Sequence, residues 1–228
     1  MSEKRIRIMK DGPYIVTGGI PLKEMIITPK GHHYEMKEGR ELPQSEEYHL
    51  CRCGHSTNKP FCTGAHAKVG FDGTETADRR PYMERIEDVF EGEDITLLDD
   101  GRCAFARFCH SELGDIWTAT ENDVDEDSKA AAIKMASECV AGRLTMIDKD
   151  GNVLEEELEP EIWILEDPER GVSAGIAVRG PIVIEAADGT EYEVRNRVAL
   201  CRCGGSRNKP FCDAMHVTIA FNDGHING

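Results

Sequence analysis

The chain has 228 residues and is acidic, with 43 Asp and Glu against 27 Lys and Arg and a formal net charge of −16. That balance repels nucleic acid and anionic membranes, so neither is expected as a partner, and no apolar run reaches the roughly 18 residues a membrane span needs. Nine cysteines, behind an N-terminus (MSEKRIRIMKDGPY) without a hydrophobic leader, are expected to be reduced thiols of a cytoplasmic protein. In that setting cysteine more often binds metal or reacts than forms disulfides.

Charge divides the chain into three. Residues 1–83 carry a net +2, residues 84–170 a net −18 and residues 171–228 a net of zero. The shifts near Pro81 and Gly171 are read as boundaries between an N-terminal domain, an acidic middle domain and a C-terminal domain. The first domain opens with Gly12-Pro13-Tyr-Ile-Val, strand-like after its turn, and continues through a polar stretch starting at His32. It ends in CRCGHSTNKPFCTGAH at 51–66. In the middle domain a strand is expected over 95–98, followed by Cys103 and Cys109. An Ala-rich helix is expected over 128–140, with Asp127 or Ser128 as N-cap, Gly142 as its stop and Cys139 near its end. Residues 144–147 and 153–158 flank Asp150-Gly151 and read as a hairpin. In the last domain, β-branched runs at 176–178, 182–185 and 192–198 read as strands. They lead into CRCGGSRNKPFCDAMH at 201–216.

The two motifs are identical at eleven of sixteen positions at an offset of 150, and the Gly-Pro echo at 12 and 180 precedes both. Two copies of one unit around a different middle are therefore expected. Each copy has the pattern C-x-C-x8-C-x3-H: Cys51, Cys53, Cys62 and His66, then Cys201, Cys203, Cys212 and His216. In extended backbone, residues two apart face one way, so each Cys-x-Cys pair can address one centre. On a helix, residues four apart share a face, so Cys62 and His66 can close the other side. Pro60 suits the first turn of such a helix, with Asn58 as its cap. Four such ligands suit tetrahedral zinc or an iron–sulfur cluster, and ligand counting leaves the two open. Arg52 and Arg202, between the paired cysteines, are expected to point away into ion pairs. Lys59 and Lys209 are candidates to lie near the bound group and offset its charge. In the middle, the C-x5-C spacing of Cys103 and Cys109 equals a ferredoxin run whose central position is Ala106, with Cys139 as a remote third thiolate.

Both motifs resemble the CDGSH-type, mitoNEET-like iron–sulfur family, whose pattern is C-x-C-x2-[ST]-x3-P-x-C-D-G-x-H. Copy one matches at Cys51, Cys53, Ser56, Pro60, Cys62, Gly64 and His66, with Thr63 in place of Asp. Copy two matches at Cys201, Cys203, Ser206, Pro210, Cys212, Asp213 and His216, with Ala214 in place of Gly. The resemblance implies one [2Fe–2S] cluster per copy, held by three Cys and one His. It also implies that the two copies form within one chain the pseudo-dimer that single-motif members make from two. Residues 82–158 resemble the divergent mono-cluster ferredoxin domain that accompanies such motifs, although Ala106 and Val140 depart from its pattern. Three thiolates there imply a [3Fe–4S] cluster, or a [4Fe–4S] cluster with one open iron.

The expected architecture is α+β: two small β-rich CDGSH units forming an intramolecular pseudo-dimer, plus a ferredoxin-like α+β middle domain. The expected function is electron transfer by a monomeric carrier whose acidic middle docks a redox partner. No catalytic triad, phosphate loop or flavin or nicotinamide fingerprint is present, so a stand-alone enzyme is not expected. Replacing one thiolate by a neutral imidazole makes the site less negative and electron uptake easier. It also introduces the one ligand that protonates near neutral pH. The alternatives are a cluster donor or redox and iron sensor acting through that imidazole, and a zinc-stapled interaction module.

Overall fold

The computed structural model describes residues 3–122 and 125–226. The first part of the chain forms β1 (Arg5–Ile8), β2 (Tyr14–Thr17), β3 (Leu22–Lys30), β4 (His33–Glu38), β5 (Glu47–Leu50) and the short helix α1 (Ala65–Val69). Next come β6 (Asp88–Glu91), β7 (Ile95–Asp99), β8 (His110–Ser111), β9 (Gly114–Asp115), α2 (Ile116–Glu121), α3 (Glu126–Ser137) and β10 (Leu144–Asp148). The remainder forms β11 (Glu161–Asp167), β12 (Val172–Arg179), β13 (Val183–Glu185), β14 (Arg197–Leu200) and α4 (Met215–Thr218). The fold is α+β, rich in small sheets.

The two ends of the chain are interleaved. A four-stranded sheet runs β13-β1-β2-β5 and a five-stranded sheet runs β14-β12-β11-β3-β4, so each contains strands from both ends. The joins are the parallel pairs β1–β13 and β3–β11. Strand β11 falls in the 84–170 segment and is the middle strand of the five-stranded sheet. Between the sheets lies a core of aliphatic residues that includes Ile6, Val16, Leu22, Ile164, Ile176 and Leu200. On another face of the five-stranded sheet, Met25, Leu165, Ala177 and Ala199 pack against Ala104, Ala106, Phe108 and Val140 of the middle segment. Strand β12 is buried at all but its last residue. A strand apolar on both faces belongs inside a sheet that is covered on both sides.

The middle segment builds its own core. Sheet β10-β7-β6 packs α2 and α3 through Ile95, Leu97, Ile116, Ala132, Met135 and Leu144. Helix α3 begins earlier than the expected 128–140 span because Asp125, not Asp127 or Ser128, is its N-cap, with Oδ1 accepting from Ser128 N at 2.8 Å; at its other end it stops before Cys139, with Glu138 as C-cap. The expected hairpin is only half formed. Strand β10 pairs with β7, while Val153 makes just an isolated bridge to Ile147. The run at 192–198 likewise becomes strand only from Arg197, where β14 pairs with β12.

The two motif loops meet back to back. A Cβ on Gly54 would fall 2.5 Å from the Cys203 carbonyl oxygen, and one on Gly204 would fall 2.6 Å from that of Cys53. Both glycines have φ of +79°, a conformation that costs other residues roughly 1–2 kcal/mol. The reciprocity is that of a two-fold interface realised within one chain. Tyr14 adds a further cross-connection, its hydroxyl donating to the carbonyls of Cys201 at 2.8 Å and Pro210 at 3.1 Å.

Candidate metal centre

Each motif is a loop folded by its own polar residues. In copy one, Cys51 N donates to Pro60 O at 2.7 Å, Cys62 N to His49 O at 2.8 Å and Phe61 N to Asn58 O at 2.9 Å. In copy two, Cys201 N donates to Pro210 O at 2.8 Å, Cys212 N to Ala199 O at 2.8 Å and Phe211 N to Asn208 O at 2.9 Å. Ser56 and Ser206 donate to the Phe61 and Phe211 carbonyls and accept from the Asn58 and Asn208 amides. These Ser and Asn roles were missed in the sequence, although their identity in both copies was the available signal. Pro60 is not in a helix: Lys59–Pro60 and Lys209–Pro210 are cis bonds within the loop, and α1 starts only at Ala65. Cys62 therefore precedes the helix that carries His66, and the cap position is Gly64 rather than Asn58.

The loops bring the donors together in twos. Cys51 Sγ and Cys53 Sγ are 3.7 Å apart, and Cys62 Sγ lies 3.5 Å from His66 Nδ1. Cys201 and Cys203 are 3.6 Å apart, and Cys212 Sγ lies 3.5 Å from His216 Nδ1. Two thiolates on one tetrahedral metal, with bonds of about 2.3 Å, sit about 3.8 Å apart, and a thiolate and an imidazole nitrogen about 3.5 Å. Each pair thus has the span of two ligands on one metal. Among the described residues, however, no three His, Cys, Asp or Glu side chains are arranged to hold a single ion. Backbone amides face the sulfurs: His55 N is 3.5 Å from Cys53 Sγ and Gly64 N is 3.4 Å from Cys62 Sγ. In copy two the Cys203 hydrogen bond and the amides of Ser206 and Gly204 draw Cys201 down to about 7, while its partner Cys203 is pushed up. Burial pushes Cys53 up to about 11.

The copies differ in cover. Cys212 and His216 are buried, at 4% and 1% exposure. Cys212 packs with Ala104, Ala106 and Phe108, in a loop that Arg107 pins to Asp167 through contacts of 2.6 and 2.9 Å. Burial holds the His216 imidazole down to about 4, and its Nε2 has no hydrogen-bond partner. Cys62 and His66 are only half-buried, and α1 buries no residue. The Asp position of the motif fastens the loop in both copies: Asp213 Oδ2 accepts from Arg207 N at 2.8 Å, and Thr63 Oγ1 from Thr57 N at 3.3 Å.

The arginines diverge as well. Arg202 is buried between Glu166 and Asp223, the expected ion pair. Arg52 instead bonds the carbonyls of Met9 and Gly73 and stacks near Tyr14 and Phe71. Lys209 Nζ donates to Ser206 O at 2.8 Å, within its own motif loop. Lys59 offers its carbonyl to Arg40.

The middle cysteines, Cys103, Cys109 and Cys139, are half-buried neighbours. Burial, then the nearby Cys139 and Cys103, push the Cys109 thiol up to about 11. Phe105 N points at Cys103 Sγ at 3.3 Å, and Phe105 and Arg107 both have positive φ. Alternating conformations of this kind turn amides toward one side, as in anion-binding nests.

Residues 11–67 and 175–217 match the protein family described as iron-binding zinc finger CDGSH type. No curated protein and no solved structure gives a significant match. The two end units are thus similar to iron-binding CDGSH domains, which points to iron–sulfur binding. Among the described residues no helix is long and apolar enough to cross a membrane.

Proposed function

We propose that the chain is an iron–sulfur electron carrier with one [2Fe–2S] cluster in each end unit. The ligands would be Cys51, Cys53, Cys62 and His66 in the first, and Cys201, Cys203, Cys212 and His216 in the second. The observation that carries this reading is the two-plus-two spacing of the donors. Each pair has the span of two ligands on one metal, and a binuclear cluster takes two ligands at each of its irons. When bound, each cluster supplies one-electron uptake and release. The chain's own contribution is to hold the thiols in pairs, aim amides at them and present Nδ1 of each histidine.

Cys103, Cys109 and Cys139 would hold a third centre, [3Fe–4S] or [4Fe–4S]. A cubane takes one thiolate per iron, so its ligands need not converge on a point. The acidic middle would dock a basic redox partner, and edge strand β6, with exposed Asp88 and Glu91, suits that role. Half-burial of Cys62 and His66 also supports a second reading, donation of the first cluster to an apo-protein.

Metal and sulfide analysis with EPR decides among these. Four iron and four sulfide per chain, with EPR signals only after reduction, are expected from two [2Fe–2S] clusters. About seven iron, with a signal in the oxidised protein, would add the [3Fe–4S] centre. A colourless protein with zinc would refute the proposal. Reversible reduction without cluster loss favours the carrier; transfer of iron and sulfide to an apo-ferredoxin favours the donor.

A further inference from the structure

The two motifs face different surroundings. The second is roofed by the 103–109 loop and α4 carries the buried His216. The first is open: His55, Thr57, Thr63, Ala67, Lys68 and Val69 around Cys62 and His66 are exposed, and Val69 is 47% exposed despite its apolar side chain. This open face has a sign the chain as a whole lacks. From Cys51 to Phe71 there is no Asp or Glu, while Lys59 and Lys68 add positive charge, on a chain of net −16. Carboxylates return at its borders, at Glu47 and at Asp72, which accepts from the amide and hydroxyl of Thr74 at 2.9 and 2.6 Å. The second motif has Asp213 beside its ligands, among Arg207 and Lys209, and its Ile219, at the position of Val69, is 48% exposed, so the two faces differ in that carboxylate and in the burial of Cys212 and His216.

We infer that the first motif's face, where Cys62 and His66 are half-buried while Cys212 and His216 are buried, is the docking surface for an acidic one-electron carrier protein. The inference rests on the electron-carrier reading above. In the exchange the partner loses one electron and this chain gains it, or the reverse, with no bond or proton moved. Val69 and the methyls of Ala67, Thr57 and Thr63 supply an apolar contact, and Lys68 and Lys59 meet the partner's carboxylates. Charges farther than about 10 Å are largely screened at 0.1 M salt, so the local patch rather than the net charge governs docking there. This differs in kind from the acidic β6 edge, which would receive a basic partner.

The test uses the full holo-protein, with iron and sulfide counted first, and an acidic plant-type ferredoxin as the probe. Binding is followed by calorimetry at 100 and 400 mM salt. Affinity is expected to fall about threefold or more over that range. Lys68→Glu should weaken it about fivefold at 100 mM, whereas Arg207→Glu, an exposed control on the second motif, should change it less than about twofold. Affinity that rises with salt, no detectable binding, or equal loss in both variants would overturn the inference. A chain lacking clusters would show in the metal count and would instead overturn the carrier reading on which it rests.

Discussion

Arg202→Met should be among the most damaging substitutions away from the metal ligands. The guanidinium is 2% exposed at its side chain and bridges Glu166 Oε1 and Asp223 Oδ2, each at 2.5 Å. It also donates to Ala174 O at 2.7 Å and Leu165 O at 2.8 Å. Removing one partner of a buried ion pair costs about 3–5 kcal/mol, because it strands the opposite charge. Total stability of a domain is about 5–15 kcal/mol, so this loss is a large share. The pH dependence identifies the cause. Burial already holds Glu166 up to about 7, while Asp223 lies down at about 2 despite its burial, held there by Arg202. A raised Glu166 contributes stability that is complete below its unfolded value and is lost as pH rises through 7. A depressed Asp223 contributes stability present above its unfolded value and lost as pH falls through 2. Without Arg202, Glu166 holds its proton still more tightly, so the variant should lose more at pH 8 than at pH 6. Arg52→Met at the equivalent position strands only carbonyls, and should cost about 1–3 kcal/mol with no such pH dependence. Urea unfolding of the holo-proteins, followed by far-UV circular dichroism at both pH values, measures this. Equal losses at the two positions, or a loss for Arg202→Met that is the same at pH 6 and 8, would refute the argument.

Three further outcomes are expected. Ala214 holds φ of +64° where copy one has Gly64, so Ala214→Gly should raise stability by about 0.5–1 kcal/mol in thermal unfolding; a loss would show that its methyl packs. Gly54→Ala should cost about 2–5 kcal/mol, summing backbone strain and the forced separation from Cys203 O; a change under about 1 kcal/mol would mean that the two loops part freely. With an iron chelator, the visible spectrum should bleach in two phases of similar amplitude, the faster belonging to the half-exposed Cys62–His66 site and selectively altered by His66→Cys; a single phase would contradict the difference in cover.

What could be read in the sequence was local. The eight repeated Cys and His positions lie within sixteen residues of one another in each copy, and short loops bring such donors together without help from elsewhere. The existence of β7, β10, β12 and α3 followed from β-branched runs and an Ala-rich span. Boundaries moved where a single side chain decided them, as Asp125 did for α3. Parallel pairing of β1 with β13 and β3 with β11 was not legible, because it joins segments more than 130 residues apart and leaves no local periodicity. The unequal burial of His66 and His216 was equally hidden. It comes from long-range packing: Ala104, Ala106 and Phe108 cover Cys212, and α4, which carries His216, lies against β12.

The reciprocal approach of Gly54 and Gly204 bears on how this protein behaves when scarce. In a dimer of separate chains, such a contact weakens on dilution, since its formation depends on protomer concentration. Here both halves belong to one polypeptide, and their effective concentration is set by the connecting chain. The contact should therefore persist unchanged from micromolar to nanomolar protein. Each half is also free to change alone, as Thr63 and Asp213, or Gly64 and Ala214, already have. A self-paired dimer cannot acquire one open and one roofed face by substitution, because every change is made twice.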